Sequence, residues 1–116
     1  VLELIENCIS KKNWKPNLFL ISSFDWNVLQ LCHSEARGIS LGVLTEDDLT
    51  SAFKFAQKIN AYSIHPYFKL LNPSIVSDLH QNGFKIYTWT VNTEEDITFV
   101  KNLEVDGIIS DFPDKI

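Results

Sequence analysis

Long hydrophobic runs are missing from this sequence, and none approaches the ~20 apolar residues that a membrane-spanning helix requires. The chain opens on VLELIENCI without a charged segment, an apolar core and a cleavage site, so a signal peptide is not predicted. This opening is amphipathic and has the pattern of a helix interior, from which we expect further sequence to precede it. These features predict a domain without a transmembrane segment.

Positive charge is also scarce: ten Lys and Arg residues stand against fifteen Asp and Glu residues, which gives a net charge of −5. Nucleic-acid-binding domains normally carry a clustered basic face, whereas the basic residues here are scattered, so no nucleic-acid partner is expected. With 116 residues, of which 45% are hydrophobic and 22% charged, the composition is that of one folded domain.

Cysteine is sparse, and Cys8 and Cys32 lie outside any CxxC or zinc-ligand spacing. Both fall in predicted helices near apolar faces, so we expect two reduced thiols, with a disulfide or redox pair as the alternative. Reduced thiols weakly favour a reducing compartment such as the cytoplasm.

Glycine is sparse too, and no glycine-rich phosphate-binding loop follows any predicted strand, which leaves no basis for a nucleotide-binding motif.

Five short segments rich in β-forming residues recur at nearly even spacing. They begin at residues 18, 39, 61, 85 and 106 and read LFLISSF, ISLGVL, AYSIH, KIYTWTV and DGIIS. Between and after them lie helical patterns whose predicted N-caps are Asp25, Thr45, Asn72 and Thr93, with Asp48 completing a capping-box-like pattern after Thr45. Strands and helices that alternate at this spacing predict right-handed βαβ units and a parallel sheet.

The uniformity of these units favours one arrangement of the parallel sheet. We predict an α/β fold in which residues 1–116 form the last five βα units of a TIM (β/α)8 barrel, preceded by a leading helix. An ordinary doubly wound domain of five strands stays open as an alternative. A flavodoxin-like binding domain would need a phosphate-binding loop that the sequence does not contain.

Residues at the C-terminal ends of the predicted strands are the candidates for a site, because parallel α/β folds bind ligands there. His65 fits either a general base or phosphate donor, or a residue that hydrogen-bonds neighbouring loops. Asp111 fits either a metal or substrate ligand, or an anchor for the loop that follows it. Ser22 and Ser23 lack the GxSxG context of a nucleophilic serine.

Trp89 is distinguished by strand alternation. Tyr87, Trp89 and Val91 share one strand face, opposite the face of Ile86. If the first face points into the barrel, Trp89 is the last large inward side chain before the mouth, and Phe24 holds the matching position on its own strand. Two rings there can form an apolar wall for a small ligand, with the indole N–H as a donor. Alternatively Trp89 plugs the core, and spacing alone does not separate the two.

Several motifs together resemble the C-terminal half of glycerophosphodiester phosphodiesterases, from about residue 18 to the end. In chain order they are ISSF (21–24), GVL (42–44), IHP (64–66), DLHQNG (78–83), YTWTVN (87–92) and VDGIISDFP (105–113). The resemblance implies a (β/α)8 barrel with a divalent metal, Mg²⁺ or Ca²⁺, at its mouth. It also implies hydrolysis of glycerophosphodiesters to an alcohol and glycerol 3-phosphate, with paired histidines as acid and base and carboxylates holding the metal.

The family's catalytic groups limit what this resemblance implies. Its HRG motif, second catalytic histidine and carboxylate metal ligands lie upstream of the matched region, so we assign no catalytic and no metal-binding residue here. We expect no metal to bind this segment alone. The resemblance implies substrate-binding roles for Trp89 and Phe24 beside the glycerol moiety, and we add Tyr87 and His65 as further substrate-binding candidates at the mouth.

Two functions stay open at this point. The first is a segment of a metal-dependent hydrolase of small glycerophosphodiesters, inactive by itself. The alternative is a non-catalytic α/β binding module derived from a truncated barrel. Five strands also leave two open sheet edges, which predicts self-association when the rest of the barrel is absent.

Overall fold

The computed structural model describes residues 19–35 and 38–116, so the predicted leading helix and Cys8 lie outside the described part. The described elements, in order, are β1 (Leu20–Ser23), α1 (Trp26–Ser34), β2 (Ser40–Thr45), α2 (Leu49–Lys58), β3 (Ser63–Pro66), α3 (Pro73–Gln81), β4 (Lys85–Thr88), α4 (Glu94–Asn102) and β5 (Gly107–Ile108). Short 3₁₀ turns at Phe68–Leu70 and Pro113–Lys115 follow β3 and β5. All five predicted strands are present, and none of the described helices has the length and apolarity that a bilayer crossing requires.

The strands form one parallel sheet in the order β1-β2-β3-β4-β5. In a doubly wound sheet the strand order reverses at a switch point, and no reversal occurs in the described residues. The doubly wound alternative is therefore wrong. A sheet that grows in one direction, with a helix between successive strands, is the arrangement of a βα barrel, and the predicted α/β class with successive barrel units is confirmed.

The hydrophobic core lies between one face of this sheet and the helices. Its members from the strands and helices include Ile21, Val43, Ile64, Ile86, Ala52, Ala56, Val76 and Leu79. Alternate strand residues point to the opposite face, which carries Ser22, Ser63, His65 and Tyr87 together with Leu20 and Leu44. The helices thus cover one face, and the other is the face that a closed barrel encloses.

Three of the four predicted helix caps are confirmed. Asp25, Asn72 and Thr93 each accept a hydrogen bond from a backbone N–H of the following first turn. The prediction that Thr45 caps α2 is wrong, because Thr45 is still the last residue of β2. The chain needs two more residues to turn out of the sheet, so Asp48 becomes the cap and accepts from the amide of Ser51 at 2.9 Å.

Asp106 joins three elements at the N-terminal ends of the strands. Its Oδ2 accepts from the backbone amide of Ile86 at 2.8 Å and lies 2.7 Å from Nε2 of His80 on α3. Burial raises the pKa of Asp106, but these two hydrogen bonds, together with the charge interactions with His80 and Lys85, hold that pKa below its ordinary value. His80 of DLHQNG and Asp106 of VDGIISDFP therefore stabilise the end of the sheet opposite the candidate site.

Cys32 lies on α1 as a half-buried free thiol. Burial raises its pKa, which favours the protonated and less reactive form. The expectation of a reduced thiol is confirmed for this cysteine.

Candidate functional site

Three aromatic rings meet at the C-terminal ends of the strands. The ring centroids of Phe24 and Trp89 lie 5.5 Å apart at an interplanar angle of 90°, and those of Tyr67 and Trp89 lie 5.4 Å apart. Phe24 follows β1 and Trp89 follows β4, so in a flat sheet their strands would lie about 14 Å apart, three spacings of ~4.8 Å. Their contact shows that the side chains of non-adjacent strands converge, as they do at the mouth of a barrel.

The orientation of the Trp89 ring is fixed by β3. The indole Nε1–H donates to the carbonyl oxygen of His65 at 2.7 Å, and the amide of Phe68 donates to the Trp89 carbonyl at 3.2 Å. Tyr67 pairs with Trp89 in a parallel bridge just beyond the regular strands. The indole N–H is therefore committed to the protein, and our expectation that it is a donor for a ligand is wrong.

His65 lies beneath this aromatic cluster with both of its ring nitrogens occupied. Nδ1 lies 2.7 Å from Oγ of Ser22 on β1, and Nε2 lies 2.7 Å from Oγ of Ser63 on β3. The side chain is buried, with a residue exposure of 3%. In this structure the imidazole contacts protein groups on both sides.

Tyr87 lies beside His65, further from the mouth than Trp89. Its ring centroid is 5.3 Å from that of His65. Burial, followed by the interaction with Tyr62, raises the pKa of the Tyr87 phenol. The four substrate-binding candidates thus form two layers, Phe24 and Trp89 at the mouth and His65 and Tyr87 beneath them.

Val91 does not continue the inward face of β4, and in this respect the alternation prediction is wrong. It is completely buried among Phe68, Ile97 and Val100, which form a second apolar cluster against α4. The regular ladder ends at Thr88, so the two-residue period no longer determines which way side chains point.

Asp111 anchors the loop that follows β5. Its backbone amide donates to Oδ1 of Asn92 at 2.9 Å, while Asn92 Nδ2 donates to the Asp111 carboxylate at 3.0 Å. The hydroxyl of Ser110 also donates to the Asn92 oxygen, at 3.1 Å. Of the two roles predicted for Asp111, these contacts are those of a loop anchor.

The described residues do not fit a metal site. Across residues 19–35 and 38–116 there is no group of three or more His, Cys, Asp or Glu side chains placed to hold a metal ion. The carboxylate at the end of β5, Asp111, already accepts from Asn92.

Burial lowers the pKa of His65 from 6.5 to about 4. The buried imidazole is therefore neutral at pH 7. In the unfolded chain it would take up a proton near pH 6.5, and in the folded chain only near pH 4. Between these values the unfolded state binds more protons, so the free energy of unfolding falls as the pH falls.

We expect acidification from pH 7 to pH 5 to lower the free energy of unfolding by about 2 kcal/mol through His65 alone. Urea unfolding at several pH values in this window would measure the slope. A His65→Gln variant should lose this component, whereas His33→Gln, which changes a histidine on α1, should retain it. Equal slopes for wild type and His65→Gln would contradict the assignment.

Sequence reasoning missed Tyr67, Ser63 and Gly42 as parts of the site. Tyr67 directly follows the IHP motif, so its place just after a strand was a usable signal. A Cβ on Gly42 would lie 2.5 Å from Nε2 of His65, so the imidazole needs the absence of a side chain there. That requirement follows from strand register, which the local sequence does not carry.

Comparison with known proteins gives one consistent relationship. The sequence matches the model of the Glycerophosphoryl diester phosphodiesterase family over residues 2–115. It is 31% identical over 114 residues to a glycerophosphodiester phosphodiesterase of Caldanaerobacter subterraneus subsp. tengcongensis, covering 98% of this chain and 46% of that protein. It is 38% identical over 98 residues to a glycerophosphodiester phosphodiesterase of Bacillus altitudinis, covering 83% of this chain and 40% of that protein.

The fold of this chain is similar to that of a solved structure. A phosphodiesterase of Oleispira antarctica, solved in complex with the product sn-glycerol-3-phosphate, superposes with a TM-score of 0.80. The two are 24% identical, and the match covers 98% of this chain and 47% of that one. The chain thus spans less than half the length of the proteins that it matches here.

Proposed function

Because this chain belongs to the glycerophosphoryl diester phosphodiesterase family, we propose that it forms part of a barrel that hydrolyses glycerophosphodiesters to an alcohol and glycerol 3-phosphate. Residues 1–116 would be the C-terminal portion of that catalytic domain. Its proposed contribution is one wall of the substrate site. The acid–base histidines and the metal-binding carboxylates would come from the other part of the barrel.

The contact between Phe24 and Trp89 is the observation that carries this proposal. Two rings from strands that are not neighbours make an apolar surface at the end of the sheet where parallel α/β folds bind ligands. Phe24 is 56% exposed, so this surface is open to a ligand. A glycerol backbone presents C–H groups that an aromatic face accommodates.

The remaining candidates take a supporting part in this proposal. Because both nitrogens of His65 bond to serines, we propose that His65 acts on the substrate through the residues that it holds. Tyr87 lies in the same lower layer and would limit the depth of the site. Trp89 and Phe24 would be the residues that touch the substrate.

The divalent metal belongs to the complete domain in this proposal. Mg²⁺ and Ca²⁺ prefer carboxylate oxygens, and a bound ion would neutralise charge on the phosphate. No group of described residues offers it a site, so its ligands would lie outside residues 19–35 and 38–116.

A hybrid enzyme tests the proposal directly. The matched region of the Caldanaerobacter subterraneus relative would be replaced by this chain, and hydrolysis of glycerophosphocholine would be measured with Mg²⁺ or Ca²⁺. We expect metal-dependent turnover, because this chain would supply the missing strands and the aromatic wall, which is the surface formed by Phe24 and Trp89. The unmodified relative is the positive control. A folded hybrid without activity would contradict the proposal and favour a non-catalytic binding module.

We further propose that the isolated chain self-associates. In the described part of the sheet β1 and β5 are the outer strands, and unpaired strand edges favour pairing with another chain. Light scattering coupled to size-exclusion chromatography should show species larger than the 13.3 kDa chain, in proportions that rise with concentration. A monodisperse monomer at all concentrations would count against it.

A further inference from the structure

The side chain of His65 is held from two strands at once. Ser22 reaches Nδ1 from β1, and Ser63 reaches Nε2 from β3, both at 2.7 Å. To meet Ser22, the imidazole must cross β2, which lies between those two strands. The ring passes over Gly42, where an added Cβ would lie 2.5 Å from Nε2. Three neighbouring strands therefore determine where this ring lies.

The backbone of the same residue holds the aromatic wall. The His65 carbonyl accepts the indole Nε1–H of Trp89 at 2.7 Å. That hydrogen bond joins the side chain of one candidate to the main chain of another. Any movement of His65 would therefore change the acceptor that orients the indole.

We propose that His65 is a positioning residue, whose imidazole, clamped by Ser22 and Ser63 over Gly42, fixes the carbonyl that orients the Trp89 ring at the mouth. The neutral imidazole has one N–H and one lone pair, so it can donate to one serine and accept from the other. The consequence for a ligand rests on the proposed function. The coupling between the hydrogen bonds of His65 to Ser22 and Ser63 (the clamp) and the orientation of the Trp89 indole is independent of the proposed function.

Nuclear magnetic resonance can measure this coupling in the chain itself. The sequence has three tryptophans, so the indole resonances can be assigned by replacing each tryptophan with phenylalanine in turn. The quantity of interest is the hydrogen-exchange rate of the Trp89 indole proton. The Trp26 indole, which donates to the Leu44 carbonyl at 3.1 Å, serves as an internal reference.

We expect Ser22→Ala to accelerate exchange of the Trp89 indole proton by roughly tenfold, while the Trp26 proton is unaffected. Ser23→Ala is the matched control, since its hydroxyl accepts from the Asp25 amide at 2.9 Å and makes no bond to His65. Gly42→Ala should act like Ser22→Ala by displacing the imidazole.

The proposal is overturned if Ser22→Ala leaves the exchange rate of the Trp89 proton as it is in the wild type. Ser22 is exposed, so this variant is expected to fold, and circular dichroism would check that it does. No substrate enters the measurement. An inactive hybrid enzyme would thus count against the proposed function and not against the positioning role of His65. An unchanged exchange rate would count against the positioning role and not against the proposed function.

Discussion

The purified 116-residue chain is expected to hydrolyse no glycerophosphocholine above the buffer rate, with either Mg²⁺ or Ca²⁺ present. The reason is the state of its histidines. His65 is the histidine near the mouth, and both of its nitrogens bond to serines. His80 bonds to Asp106 at the other end of the sheet. Because residues 19–35 and 38–116 present neither an acid–base pair nor a group of side chains placed to hold a metal, the loss should approach the whole enzymatic enhancement, ~10⁶-fold or more.

This experiment needs a control for contaminating phosphodiesterases. A Trp89→Ala chain purified in the same way would carry the same contaminants, so equal trace rates in both preparations would identify the background. The hybrid enzyme serves as the active reference. Metal-dependent turnover that is proportional to the wild-type chain and lost in Trp89→Ala would show the prediction to be wrong.

Replacing Trp89 with alanine in the hybrid enzyme should raise KM for glycerophosphocholine by roughly 10- to 200-fold. Loss of an apolar contact surface of this kind corresponds to ~1–3 kcal/mol of binding. The effect should fall mainly on KM, because the wall touches the substrate and not the reacting bond. Trp89→Phe keeps an aromatic face but loses the bond to the His65 carbonyl, so we expect a smaller change.

Trp26→Ala is the matched control for this series. Trp26 also donates its indole N–H to a backbone carbonyl, and its ring stacks on Phe55 of α2 with centroids 5.1 Å apart. Its removal should lower stability while leaving KM within a few-fold of the parent hybrid. If both substitutions raised KM equally, the wall would have no specific role. If neither did, the ligand would not contact Trp89.

The order of elements could be predicted from the sequence because its signals are local. The period of the strands, Pro73 at the first turn of α3 and the caps at Asp25 and Thr93 each depend on residues close together in the chain. The wrong prediction that Thr45 caps α2 also came from local signals. Thr45 and Asp48 both suit a cap, and only the length of β2 decides between them.

The sequence predicted which residues could form the aromatic wall, but not that they would meet. Strand ends and alternation pointed to Trp89 and Phe24 as candidates, because parallel strands place their C-terminal ends at one edge. Their contact, and the addition of Tyr67, required the sheet to curve. Curvature is a property of several strands together and has no signature in any one of them.

The sequence by itself determined that this chain builds successive βα units, and its motifs identified the family to which those units belong. Only the tertiary structure decided what each polar group at the mouth bonds to. The clamp on His65 joins residues 43 positions apart, and the acceptor of the Trp89 indole lies 24 positions away. Such partners depend on strand register, and a shift of one residue would turn every side chain of a strand to the other face.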